Sequence, residues 1–230
     1  MSASCATGAW YMTESAARAW QPADAAPALL WYGAVIHALI TTCFVARRGM
    51  WLMGKSPSSG QVPFWSLAIW WPFHLPTYVY TAVHTELSKR HGIPVASEVA
   101  PGWWLGGRYG AELNRRYAAV VDLTVEFNEG CRPHTAEYLL LACWDGVPPA
   151  PEGLEEAARL CARCCESGEI LVHCAHGRGR STCVMVACLV RAGLYRNWRE
   201  AFDGIKTKRK GIKLNGKMRR ALDEWQKRFQ

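Results

Sequence analysis

Polarity divides this chain into two unlike parts. Residues 29–46 run eighteen positions without a charge, interrupted only by His37, Thr41 and Thr42, and Arg47 and Arg48 end the run. After a linker containing Gly, Ser and Pro, residues 62–83 are again uncharged and carry Trp65, Trp70, Trp71, Tyr78 and Tyr80. Two such runs predict a hydrophobic helical hairpin over 28–92. Residues 1–27, rich in Ala and Ser, lack the Arg-rich, acid-poor character of a transit peptide, and they lack the apolar stretch of a secretion signal. They are expected to form a mobile tail. From Ile93 onward the pattern changes. Short apolar runs at 102–106, 117–124, 138–142 and 169–173 predict strands, and longer segments at 152–167, 182–190, 198–208 and 216–228 predict helices. This alternation predicts an α/β domain over 93–230, with a mostly parallel central sheet flanked by helices.

The stretch from Ile170 to Val190 carries the candidate chemistry. Ile170, Leu171 and Val172 form a short apolar strand that ends at His173 and Cys174. A tight loop follows, Ala175-His176-Gly177-Arg178-Gly179-Arg180-Ser181, and then an apolar helix. Strand, loop and helix can make an anion site, because loop N–H groups converge on one point and the helix N-terminus adds partial positive charge there. Gly177 and Gly179 supply backbone freedom. Arg180, six residues after Cys174, can return a planar guanidinium to grip a tetrahedral phosphate with two hydrogen bonds. A thiol in that field ionises for the reason that a phosphate binds there.

His173-Cys174, five intervening residues, then Arg180-Ser181 resembles the signature of the cysteine-dependent protein tyrosine and dual-specificity phosphatases. The resemblance covers about residues 103–225. Val121-Asp122-Leu123-Thr124 with Glu126-Phe127, and Cys143-Trp144-Asp145, look most like a plant group of dual-specificity-phosphatase-related membrane proteins. The resemblance implies that Cys174 is the nucleophile and that Ala175, His176, Gly177, Arg178, Gly179 and Arg180 bind the phosphate. It also implies that His173 positions the cysteine and that Ser181 assists hydrolysis of the phosphoenzyme. In the family an Asp about thirty residues before the cysteine protonates the leaving group. Asp145, twenty-nine residues before Cys174 and followed by Gly146-Val147-Pro148-Pro149, takes that role. Glu152 is the reserve candidate. Neither a metal nor a cofactor is required by this chemistry.

Charge and cysteine content refine the picture. The net charge is +8, and residues 191–230 hold thirteen Lys and Arg against four Asp and Glu. Such a basic surface favours phosphorylated substrates or acidic lipids; without a recognisable nucleic-acid module, nucleic acid ranks last among partners. Ten cysteines do not read as a disulfide framework, because several fall on one helix and one is the nucleophile, which suits a reducing compartment. Cys161, Cys164 and Cys165 read better as a buried helix face than as half a zinc site.

The apolar hairpin has two readings. As about 20 apolar residues suffice to cross a bilayer, it is a candidate membrane anchor, with the catalytic domain facing the cytosol. Alternatively it packs against the catalytic domain. The expected function is phosphomonoester hydrolysis of the protein tyrosine or dual-specificity type through a phosphocysteine, at a membrane. A phospholipid phosphatase acting on phosphoinositide or phosphatidylglycerophosphate is the alternative, suggested by Gly177-Arg178-Gly179-Arg180. An idle phosphate-binding module is the competing class, disfavoured because cysteine, arginine and acid are all present. Oligomeric state is not readable.

Overall fold

The computed structural model describes residues 22–230. The expected N-terminal tail therefore lies outside the described residues up to position 21. Helix α1, Pro22–Ala46, begins before the expected start of the hairpin. Its spacing explains its packing. Tyr32, Ile36, Ile40 and Cys43 recur every three or four positions and turn one stripe toward the rest of the molecule, where they meet Met53, Trp70, Val125, Trp144 and Val147. Residues on its other faces, Leu30, Trp31, Val35 and Val45 among them, are exposed.

The second apolar run is not one long helix. It divides at Trp70 into a short helix α2, Phe64–Ile69, and α3, Trp71–Arg90. Pro72 sits in the first turn of α3, where its missing N–H costs nothing. Among the described residues only one helix, at Ala25–Ala46, is long and apolar enough to cross a membrane. Helix α3, from the second apolar run, does not meet that measure. Helix α3 buries Pro72, His74 and Thr81 in the molecule and ends in Lys89 and Arg90, so its sidedness is that of a packed helix.

The remaining chain forms a five-stranded sheet of β1 (Ala96–Ala100), β2 (Trp103–Gly106), β3 (Tyr117–Thr124), β4 (Thr135–Cys143) and β5 (Glu169–His173), in the order β1-β2-β5-β3-β4. All neighbours are parallel except β1 and β2. Strand β1 has no counterpart in the predicted elements; its mixed Ala-Ser-Glu-Val-Ala pattern reads weakly, being a sheet edge. Strands β3 and β5 are central and buried on both sides, which is why they read as mostly apolar, β3 broken only near its end by Asp122 and Thr124. Helices α4 (Pro151–Cys164), α5 (Arg180–Arg191), α6 (Trp198–Lys208) and α7 (Gly216–Phe229) share one core with Leu105, Val121 and Val172. The registers place the carboxyl ends of β2, β3, β4 and β5 along one edge. Four connections leave that edge, and in parallel sheets ligands bind there.

Candidate active site

Cys174 follows β5 directly, and Arg180 opens α5, so the intervening loop is pinned at both ends. Its carbonyls are taken from outside. Arg108 N–H donates to Ala175 O at 3.2 Å, the Arg209 guanidinium to Gly177 O at 2.8 Å and His176 O at 3.3 Å, and Lys213 N–H to Arg178 O at 2.9 Å. Turning those carbonyls away leaves amides for the cysteine side, and the Arg178 and Ser181 amides serve the Cys174 sulfur. Gly177 has φ +69°, and a Cβ there would lie 2.4 Å from the Gly106 carbonyl carbon. No other residue fits that turn without moving backbone.

Cys174 is buried, with its Sγ 3.3 Å from Ser181 Oγ. Burial pushes the thiol up, but the Arg180 charge and the Ser181 and Arg178 hydrogen bonds outweigh it, so the thiol ionises below its ordinary value. Arg180 is almost fully enclosed. It donates to Leu123 O at 3.1 Å, Cys143 O at 2.7 Å and Glu126 Oε1 at 3.1 Å, so the ends of β3 and β4 aim it. Its Nε has no hydrogen-bond partner among the described residues. A buried donor without an acceptor is costly, and a bound oxyanion would satisfy it.

Asp145 stands in the turn after β4, its side chain 80% exposed and its Oδ1 3.3 Å from an Arg180 amino group. Both ends of its turn are clamped. Trp144 Nε1 donates to Arg48 O at 2.8 Å, and Asn215, which caps α7 by accepting from Met218 N–H, donates to Gly146 O at 2.8 Å. The cavity over Cys174, about 300 Å³, is bounded by Asp145, His176, Arg180, Lys213 and Asn215. Glu152 lies away from it, in the first turn of α4, paired with Arg228 at 2.7 Å.

Beneath the loop lies a buried ionic network that the motif does not reveal. His173 Nε2 meets Glu129 Oε2 at 2.5 Å and stands 3.7 Å from Asp122. Burial lowers the imidazole, but the two carboxylates raise it to about 9. Asp122 also accepts from Thr124 and Tyr138, and it is paired with Lys55. Lys55 comes from the linker between the two apolar runs and donates further to Thr124 O at 3.0 Å. The carboxylates of Asp122 and Glu129 with His173 are close enough to hold a cation, but the ammonium of Lys55 already supplies that charge.

The remaining wall comes from α3. His84 and Tyr80 stand against His176, with ring centroids 4.3 and 5.6 Å away, and Arg178 donates to Ser88 Oγ at 3.0 Å. Burial and His84 push His176 down to about 4, so it is neutral near pH 7. Arg178, expected at the phosphate, lines the cavity while its guanidinium is shared with α3. Cys174, His176, Gly179 and Arg180 meet at the cavity, with Ser181 beside Cys174 and Asp145 facing Arg180; Ala175 and Gly177 belong to the loop without lining the cavity, and His173 lies behind the loop. Glu126, Glu129, Lys55, Arg209 and Tyr80 were not foreseen. Of these, Glu126 alone had a signal in the sequence, its place with Phe127 just after the apolar run in the string that carries the resemblance. Arg209 read as one of a basic surface cluster, yet it is buried and its charged form is disfavoured there, to about 10, by that burial.

Comparison with known proteins places this geometry. The family model "Dual specificity phosphatase, catalytic domain" matches residues 153–228, a segment that includes the loop and begins after Asp145. No curated protein sequence matches significantly. Among solved structures, human DUSP28 superposes with a TM-score of 0.51 at 20% identity, covering 58% of this chain and 94% of its own. A mouse putative dual specificity phosphatase complexed with zinc tungstate gives 0.52 at 24%, covering 58% and 87%. Tk-PTP in its active form gives 0.51 at 27%, covering 59% and 99%. These structures share the fold and leave about two fifths of this chain without a counterpart.

Proposed function

From a chain that carries a domain of the dual-specificity phosphatase type, we infer a phosphomonoester hydrolase of the protein tyrosine or dual-specificity kind that works through a phosphocysteine. The observation that carries this reading is the convergence on one open cavity of an ionisable Cys174, a buried Arg180 with an unpartnered Nε, and Asp145. The Cys174 thiolate attacks phosphorus in line and forms an S–P bond as the ester P–O bond breaks. Arg180 and the loop amides hold the equatorial oxygens, and Asp145 passes its proton to the departing oxygen. Asp145, now a carboxylate, takes a proton from water as that water attacks phosphorus. The S–P bond breaks, phosphate leaves, and the Ser181 hydroxyl stabilises the thiolate leaving group.

A membrane location is part of the proposal. It is supported by α1 and by the distribution of exposed large apolar side chains among the described residues, all of which except Leu194 lie between Leu29 and Leu87. The catalytic domain faces the cytosol, where a reactive thiol stays reduced.

The test is hydrolysis of an aryl phosphate and an alkyl phosphate by the full chain and two variants. Cys174→Ser should abolish both activities with the fold intact. Asp145→Asn should slow the alkyl ester about 10²–10⁴-fold and the aryl ester much less, because a phenolate leaves with little help. Turnover surviving in Cys174→Ser, or equal losses on both esters in Asp145→Asn, would remove the assigned roles.

A further inference from the structure

An apolar groove opens beside the catalytic cavity and shares its wall. It runs between α1 and α3, has a volume of about 440 Å³, and is lined by Ile40, Thr41, Phe44, Phe73, Pro76 and Thr77. Tyr80 and Asp145 line both spaces, so the groove begins where the leaving group of a phosphate bound at Cys174 must emerge. A leaving group with a long apolar chain finds in this groove a dry path away from Asp145. The outer faces of the same two helices carry exposed Leu39, Val45, Leu75, Val79 and Val83, so the groove lies within the apolar surface assigned to the membrane.

We propose that this groove binds the hydrocarbon chain of a membrane-lipid phosphomonoester whose phosphate sits in the Cys174 loop. The proposal rests on the phosphatase reading and adds the substrate class. The charged groups gather at the phosphate end, where Arg180, Lys213 and Glu126 lie, while beyond it the groove is mainly Ile40, Phe44, Phe73 and Pro76, with His37, Thr41 and Thr77 as its polar members. A chain filling it gains apolar burial methylene by methylene. A phosphorylated protein side chain needs the cavity alone.

The experiment compares p-nitrophenyl phosphate with straight-chain alkyl phosphates of increasing length, using the full chain in lipid nanodiscs. For the parent protein, kcat/KM should rise with chain length, by up to about fourfold per methylene that enters the groove, and then level off. Thr41→Trp and Thr77→Trp, which fill the groove without touching the catalytic groups, should flatten that rise and leave p-nitrophenyl phosphate turnover unchanged. Partition of the substrates into the disc is common to parent and variants and cancels in the comparison. A flat profile in the parent, or a rise that both variants retain, overturns the proposal while the phosphatase reading stands. The proposal fails likewise if phosphopeptide turnover, rather than alkyl-chain dependence, is lost in the variants. Failure of the parent on every ester sinks the phosphatase reading and this proposal with it. Should the tryptophan variants lose all activity through misfolding, a diazirine-tipped dodecylphosphonate tests the parent directly. Label on 40–44 or 73–77 supports the groove, and label elsewhere only, or none, overturns it.

Discussion

At Cys174 two large effects oppose each other, and the neighbours decide the outcome. Burial alone would keep the Cys174 thiol protonated, as it does for Cys143 and Cys183, which are pushed up to about 12 and beyond by the same cause. Arg180 also lowers Cys143, but Cys174 adds to that charge a converging set of hydrogen bonds from Ser181 and Arg178. A motif cysteine therefore differs from a core cysteine in its contacts, although both are equally enclosed. His173 obeys the same logic with opposite sign. Its folded value of about 9 lies above the ordinary 6.5, so its pairing with Glu129 contributes stability that is fully present below 6.5 and is lost as pH rises through about 9. For Glu129, burial raises the carboxyl but His173 lowers it further, so its contribution is present above 4.5 and is lost as pH falls through the lowered value. Melting temperature against pH should therefore fall on the alkaline side near 9, and His173→Gln should flatten that fall. An unchanged alkaline limb in the variant would remove the pair as its cause.

Among elements, the linker between the apolar runs carries more than its composition suggests. It inserts Lys55 against β3 and pairs it with Asp122, out of water. At Gly60, with φ +69°, a Cβ would lie 2.5 Å from the Glu129 Cβ, so the turn lies directly on the segment that holds His173. Removing one partner of a buried ion pair strands the other charge at a cost of about 3–5 kcal/mol. Lys55→Met should lower the unfolding free energy by about that much in denaturant titration, and adding Asp122→Asn should restore part of it. A loss below about 1 kcal/mol would mean that water reaches Asp122. Cutting the chain at 92, where the hydrophobic pattern suggests a boundary, also removes Lys55, and with it the ring and hydroxyl contacts that α3 makes to His176 and Arg178.

At the scale of the whole molecule, apolar surface and positive charge offer two distinct ways of holding a membrane. The charged tail beyond residue 191 acts over a Debye length, about 3 Å at 1 M salt, whereas apolar burial does not depend on salt. The full chain should stay with lipid vesicles through a 1 M salt wash and leave them only in detergent. Release by salt alone would make the basic residues the anchor and α1 a helix that merely packs.

The sequence by itself determined what is local or periodic. Buried strands β3 and β5 appear as mostly apolar runs, and α6 and α7 as segments at 198–208 and 216–228. The loop after β5 is legible because strand, Cys174, Gly177, Arg180 and helix are consecutive, and a contiguous loop makes its own geometry. What only the tertiary structure decided depends on contacts between residues far apart in the chain. Glu126 aims Arg180 across 54 positions, Arg209 braces the loop across 32, and Lys55 neutralises Asp122 across 67. Hydropathy could not separate a helix that packs from one that crosses a bilayer, since both need apolar residues. The polar contacts of α3 with the loop show where α3 packs, and a contact is a property of two segments that neither sequence pattern contains.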